Sequence, residues 1–274
     1  MDEKNCKQCS TLVPAPGAQR NILLLMLTLS FTAASMLAST QPIWVNLPVN
    51  VIVPILIMVF CKLVFFERLK LTTLTVLRVL IVLAVFNVMP RQWFVNLVLI
   101  ALVVNILEAT FTDIVRYKRY FNGITGLALA ASVWFLKDNS FWVELPQMGK
   151  FAHIYEANAY TAAGTICWIV AYTIWNWIFV TNEFSDSIAK LHVGILASPI
   201  VGCLVMWNPG YWLVFRASSL AFGGCFQIFQ KEYLEQSLQS DSFSKFVTFT
   251  KKTGVQIVLM IISLACIAGS GFLR

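Results

Sequence analysis

Asn21 to Ser39 reads NILLLMLTLSFTAASMLAS, a run with no charged residue. A helix rises about 1.5 Å per residue, so such a run reaches across the roughly 30 Å hydrocarbon core of a bilayer. Its apolar part, Ile22 to Ala38, outruns the ~7 to 15 residue core of a secretory signal, and a long polar lead with Lys4, Lys7 and Arg20 precedes it. It reads as an uncleaved first transmembrane helix.

The pattern repeats along the chain. Apolar runs bounded by charges, Pro or Asn fall at 21–39, 44–66, 71–89, 92–113, 122–137, 159–181, 187–207, 210–230 and 253–273. Residues 1–20 read as a cytoplasmic tail and 21–274 as a single transmembrane domain. Composition agrees: 58% of the residues are hydrophobic, 12% are charged and the mean hydropathy is +0.75, a balance no water-soluble domain shows. The expected fold class is therefore all-α, a polytopic transmembrane helix bundle of about nine spans. The run at 122–137 is the shortest, and its crossing decides the parity of every later span.

A net charge of +7 raises the question of nucleic acid. The basic residues, however, stand singly between apolar runs and make no dense patch interleaved with aromatics, so no nucleic-acid partner is expected. They sort by side instead. Lys62, Arg68 and Lys70, then Arg116, Lys118 and Arg119, then Lys231, Lys245, Lys251 and Lys252 fall in alternate connections, on the side of the tail. Positively charged connections stay cytoplasmic, which predicts an N-terminus inside, a C-terminus outside and an integral protein of the plasma (cytoplasmic) membrane.

Two connections exceed simple turns. Asp138 to Asn158 contains Phe141, Trp142 and Phe151 and is expected to lie along the outer interface; Lys231 to Lys252 carries Phe243, Phe246 and Phe249 and is expected to form a short amphipathic helix on the cytoplasmic side.

A charge placed within an apolar run is expensive, about 2.5 to 3.5 kcal/mol near a helix centre on insertion scales. Arg78, Arg216 and Glu108 are so placed, and an Arg78–Glu108 ion pair across the hairpin at Pro90 is expected. Polar residues also recur at helical spacing: Asn105, Glu108 and Thr112 on the fourth run; Thr165, Trp168, Tyr172 and Asn176 on the sixth; Arg216, Ser219 and Gln227 on the eighth. Faces of this kind either hydrogen-bond helix to helix or enclose a polar path.

Other chemistry lacks its signature. Cys6 and Cys9 form a lone CxxC in a polar tail, His153 and His192 are far apart, and no glycine-rich phosphate loop is present, so no cofactor and no metal are expected. The reading that follows is a transporter or channel-like protein moving a small solute or ion between the polar faces. The alternatives are a non-catalytic assembly subunit and a membrane-embedded enzyme acting on a lipid-linked substrate through Glu156, His153 or His192. The expected surroundings are the lipid bilayer, with the solute or ion as ligand and a homo-oligomer or larger membrane complex as the assembly.

Overall fold

The computed structural model describes residues 17–63 and 65–273. The expected tail and its Cys6–Cys9 pair lie almost wholly outside the described residues. Among the described residues the fold is all-α apart from one two-stranded antiparallel hairpin. The helices are α1 (Gly17–Thr40), α2 (Val53–Phe60), α3 (Phe65–Val85), α4 (Arg91–Val115), α5 (Tyr120–Ser132), α6 (Ala162–Glu183), α7 (Asp186–Met206), α8 (Trp212–Phe229), α9 (Lys231–Ser237), α10 (Asp241–Thr250) and α11 (Thr253–Phe272). Strands β1 (Phe141–Glu144) and β2 (His153–Glu156) make the hairpin.

Among the described residues, seven helical stretches are long and apolar enough to cross a membrane: Gln19–Thr40, Pro42–Phe60, Arg91–Val115, Ala162–Glu183, Asp186–Met206, Pro209–Phe229 and Thr253–Phe272. The sequence predicts nine. The two left over are α3, long enough but carrying Glu67, Arg68, Lys70 and Arg78, and α5, which ends at Ser132 and continues only as the 3-10 turn Val133–Lys137.

Proline shapes the second stretch. Pro42, Pro48 and Pro54 each withhold an N–H and crowd the preceding turn. The chain widens into two π-helical turns, Pro42–Asn46 and Pro48–Ile52, with the Asn46 amide donating five residues back to the Gln41 carbonyl at 3.0 Å. Elsewhere side-chain caps set the ends. Thr161 accepts the Gly164 N–H at the start of α6, and Ser185 accepts that of Ile188 at the start of α7. Asn87, at φ 56°, turns the chain between α3 and α4 in the left-handed conformation that Asn tolerates.

Helix α1 packs on α7 and α8, α11 on α6 and α5, and α4 on α5, while α3 meets α4 and α8. An aromatic column fills the centre: Trp168 stacks on Tyr172 with ring centroids 5.5 Å apart, and Trp212 meets Tyr172 edge-on at 4.9 Å. The α4–α5 contact needs a residue without a side chain. A Cβ on Gly126 would stand 2.0 Å from the Thr110 hydroxyl oxygen and 2.6 Å from the Trp175 ring nitrogen, whereas one on Gly224 would meet nothing within 4 Å. Gly126→Val should therefore destabilise by about 1 to 3 kcal/mol, the usual effect of overpacking. A thermal melt in detergent should show the loss, and Gly224→Ala should melt like the parent.

Both longer connections carry more structure than expected. Asp138 to Asn158 is exposed at Phe141, Glu144 and residues 146–150, but β2 is buried throughout, and Trp142 and Tyr155 close over Phe94 with ring centroids at 4.9 and 5.4 Å. The hairpin is thus a cap seated on one end of the bundle. Burial of Tyr155 there pushes its phenol up to about 12. The segment from Lys231 to Lys252 folds as two short helices, α9 and α10, rather than one, and α10 lays Phe243 and Phe246 against Trp177.

Candidate functional site: a cavity between α3, α4 and α8

Helices α3 and α4 leave their shared turn without closing on each other. Lys70, Thr73, Leu74, Leu77, Arg78 and Ile81 of α3 face Phe94, Val98, Leu102, Asn105 and Glu108 of α4 across a cavity of about 140 Å³. Leu213, Val214, Arg216, Ala217 and Leu220 of α8 form its floor, with Tyr172 of α6 beside them. An apolar cavity of about 150 Å³ accepts a benzene-sized group, so this one takes a chemical group of that size and not merely a water.

Its polarity is sorted along the bundle. Lys70, Thr73, Asn105 and Glu108 stand at the end away from the Pro90 turn, and Ile81, Phe94 and Val98 stand near that turn, under the hairpin cap. Arg78 and Arg216 lie between. Arg78 is fully buried and donates from Nη2 to the Val214 carbonyl at 2.8 Å and to the Ser218 hydroxyl. Its own carbonyl accepts from Asn46, and Ser218 also meets Ser39 at 3.0 Å. Arg216, 4% exposed, donates from Nη2 to Asn176 Oδ1 at 3.2 Å, with its guanidinium 6.0 Å from the Tyr172 ring centre. The bonds to Val214 and Ser218 set the Arg78 head against the very turn of α8 that carries Arg216.

Both guanidiniums remain incompletely used. Nε and Nη1 of Arg78, and Nε and Nη1 of Arg216, are buried without a hydrogen-bond partner among the described residues. Neither arginine belongs to any of the three ion pairs formed among those residues, Arg91–Glu144, Arg116–Glu183 and His153–Glu144. The expected Arg78–Glu108 pair is therefore corrected: the cavity separates α3 from α4, and Arg78 turns to α8. Glu108 is half-buried on the opposite wall.

Five of the eleven sequence-predicted residues, Arg78, Asn105, Glu108, Tyr172 and Arg216, line the cavity. Asn176 stands behind it, holding Arg216. The other five serve helix contacts. Thr112 donates to the Glu108 carbonyl at 2.9 Å, and Thr165 accepts the Ala159 amide at 2.9 Å. Trp168 donates to Ser132 at 3.0 Å, and Ser219 reaches the Ile195 and Arg216 carbonyls. Gln227 bonds His192 at 2.9 Å. His153 and Glu156 belong to the hairpin and His192 to α7, so the three residues weighed for an enzyme do not converge on the cavity.

Sequence reasoning missed Lys70, assigned to a connection but standing more than a turn inside α3 within electrostatic reach of Glu108, Glu183 and Arg216. The spacing 70–74–77–81 was the available signal. It also overlooked Asp113, as deep as Glu108 is shallow: its carboxylate is fully buried and accepts from Asn122 of α5 at 2.5 Å. Beyond the end of α4, the Tyr117 hydroxyl donates to Glu183 at 2.8 Å, and burial together with that carboxylate pushes the phenol up to about 12. It therefore remains a donor at neutral pH.

Helical stretches of spanning length around a partly charged internal cavity define a multi-pass membrane protein. Within that class, residues 21–269 match the model of a family of unknown function, DUF5692, and the chain belongs to that family. It matches no curated protein and no solved structure.

Proposed function

We propose that the protein moves a small anionic solute across the bilayer, with the α3–α4–α8 cavity as its binding site. One observation carries this reading: two buried guanidiniums border the same cavity, each with two donor nitrogens unpaired. Burying a charge without a counter-charge is strongly unfavourable. A carboxylate or phosphate between Arg78 and Arg216 would satisfy both.

Topology gives the site a direction. Counting α3, and α5 with its 3-10 continuation, as crossings makes nine spans and keeps the basic connections on one side. With that count, retention of basic connections on the cytoplasmic side supports an N-terminus inside and a C-terminus outside. The Lys70–Glu108 end then opens toward the cytoplasm, and Phe94, Trp142 and Tyr155 block the way out. The arrangement is that of a carrier with its inner side open. Asn105, on the wall facing Arg78, replaces water around the solute.

The test is anion flux in proteoliposomes. Arg216→Ala should reduce flux at least about tenfold, the loss of one charge-assisted hydrogen bond, and Glu108→Gln, which removes the carboxylate from the cavity wall, should change it as well. Flux unchanged in both, with folding intact, would sink the proposal.

A further inference from the structure

We infer that the cavity's ligand is an amphiphile taken from the bilayer itself, with a phosphate-monoester head seated between Arg78 and Arg216 and its apolar body leaving through the seam between α3 and α4. The inference rests on reading the cavity as an anion site and names the ligand class.

The seam is visible in the exposure pattern. On α3 the outward residues are Leu69, Thr72, Val76 and Val79; on α4 they are Trp93, Leu97, Ile100, Val104 and Phe111. Both sets recur at three- and four-residue intervals, with one seven-residue step from Val104 to Phe111, as the lipid-facing stripe of a helix does. Leu69, 40% exposed, and Val104, 57% exposed, belong to these stripes and also line the cavity. A residue that faces lipid on one side and the cavity on the other marks a lateral opening. The wall between is apolar, with Leu74, Leu77, Ala101 and Leu102 along it, a surface suited to hydrocarbon and poorly suited to a hydrated ion.

Charge identifies the head. The ionisable lining residues are Lys70, Arg78 and Arg216 against Glu108, a formal excess of two positive charges. A phosphate monoester carries about −1.5 to −2 near neutral pH, with three acceptor oxygens. It matches the excess, and the two arginines bordering the cavity each keep two buried nitrogens without a hydrogen-bond partner among the described residues. A zwitterionic phosphodiester leaves the excess uncompensated, and a carboxylate compensates half of it.

The full chain, reconstituted in phosphatidylcholine vesicles, is tested with phosphatidic acid carrying a diazirine in its acyl chain, and with the matching phosphatidylcholine analogue. Phosphatidic acid should label the cavity faces of α3 and α4 at least about tenfold more than phosphatidylcholine, one charge-assisted contact or more. Arg216→Gln should lower that labelling by a similar factor. Val104→Trp, at a position 57% exposed, should close the seam and reduce labelling without changing the melting temperature. Excess inorganic phosphate should not compete. Equal labelling by both lipids, or label confined to outward residues such as Val76 and Ile100, would overturn the inference. So would inorganic phosphate stabilising the protein and displacing the lipid, since the anion would then come from water. The two readings fail separately. Cavity labelling with no anion flux removes transport and keeps the amphiphile; flux of a soluble anion indifferent to Val104→Trp removes the amphiphile and keeps transport.

Discussion

Arg78→Met is expected to leave the ligand-free protein at least as stable as the parent while abolishing anion binding. Arg78 is fully buried, has two unpaired nitrogens and no carboxylate partner among the described residues. Removing such a charge relieves a burden of about 2.5 to 3.5 kcal/mol on insertion scales. Exchange of buried charges for apolar groups of similar volume is often neutral or stabilising. The groups it leaves are provided for: Ser218 retains Ser39 as a partner, and Val214 lies within α8, whose own ladder uses its carbonyl. Melting temperature without ligand and binding of an anionic probe are the two readouts. A fall of several degrees on substitution would make Arg78 a clamp between α3 and α8, and the cavity would lose its claim to being a site.

Arg216→Gln carries the second large effect, a loss of about 10- to 100-fold in anion affinity, corresponding to roughly 1.5 to 3 kcal/mol for hydrogen bonds to a charged group. Glutamine still reaches toward Asn176 and so separates the charge from the packing. Arg216→Lys should recover only part of the affinity, because an ammonium supplies the charge without the planar fork that matches a phosphate or carboxylate. Titration of a phosphate-headed amphiphile against parent and variants measures the series. Equal affinity in all three would remove Arg216 from the site.

The helices were legible because the bilayer leaves the backbone few choices: a long apolar run has to satisfy its own N–H and C=O groups and so forms a helix. The expected run at 253–273 is α11, Thr253–Phe272, and that at 92–113 is α4, Arg91–Val115. Ends governed by tertiary contact were less legible. The second run was expected to reach residue 66, yet α2 stops at Phe60 and Cys61 is extended. The hairpin was unreadable as strands because β2, His153 to Glu156, is buried by the bundle on which it sits, and no alternation of polar and apolar residues betrays it.

The site was legible by residue and illegible by pairing. Energetic reasoning singles out Arg78, Arg216 and Glu108 from the sequence, since charges in hydrocarbon need shelter. Sequence proximity then suggested that Arg78 meets Glu108 across a tight hairpin. The actual partners, Val214 and Ser218, are more than a hundred residues downstream and depend on how α8 lies beneath α3. Lys70 was masked by its two roles, since a basic residue near a helix end reads as a topology signal before it reads as a cavity wall.

Native mass spectrometry with the parent and an Arg78→Met/Arg216→Gln double variant, each titrated with phosphatidic acid and with phosphatidylcholine, tests the anion site most directly. The parent should retain phosphatidic acid in preference to phosphatidylcholine, and the double variant should lose that preference while keeping its fold. Identical retention by both proteins, or a parent that holds the two lipids equally, would contradict the assignment of the two guanidiniums as the head-group site.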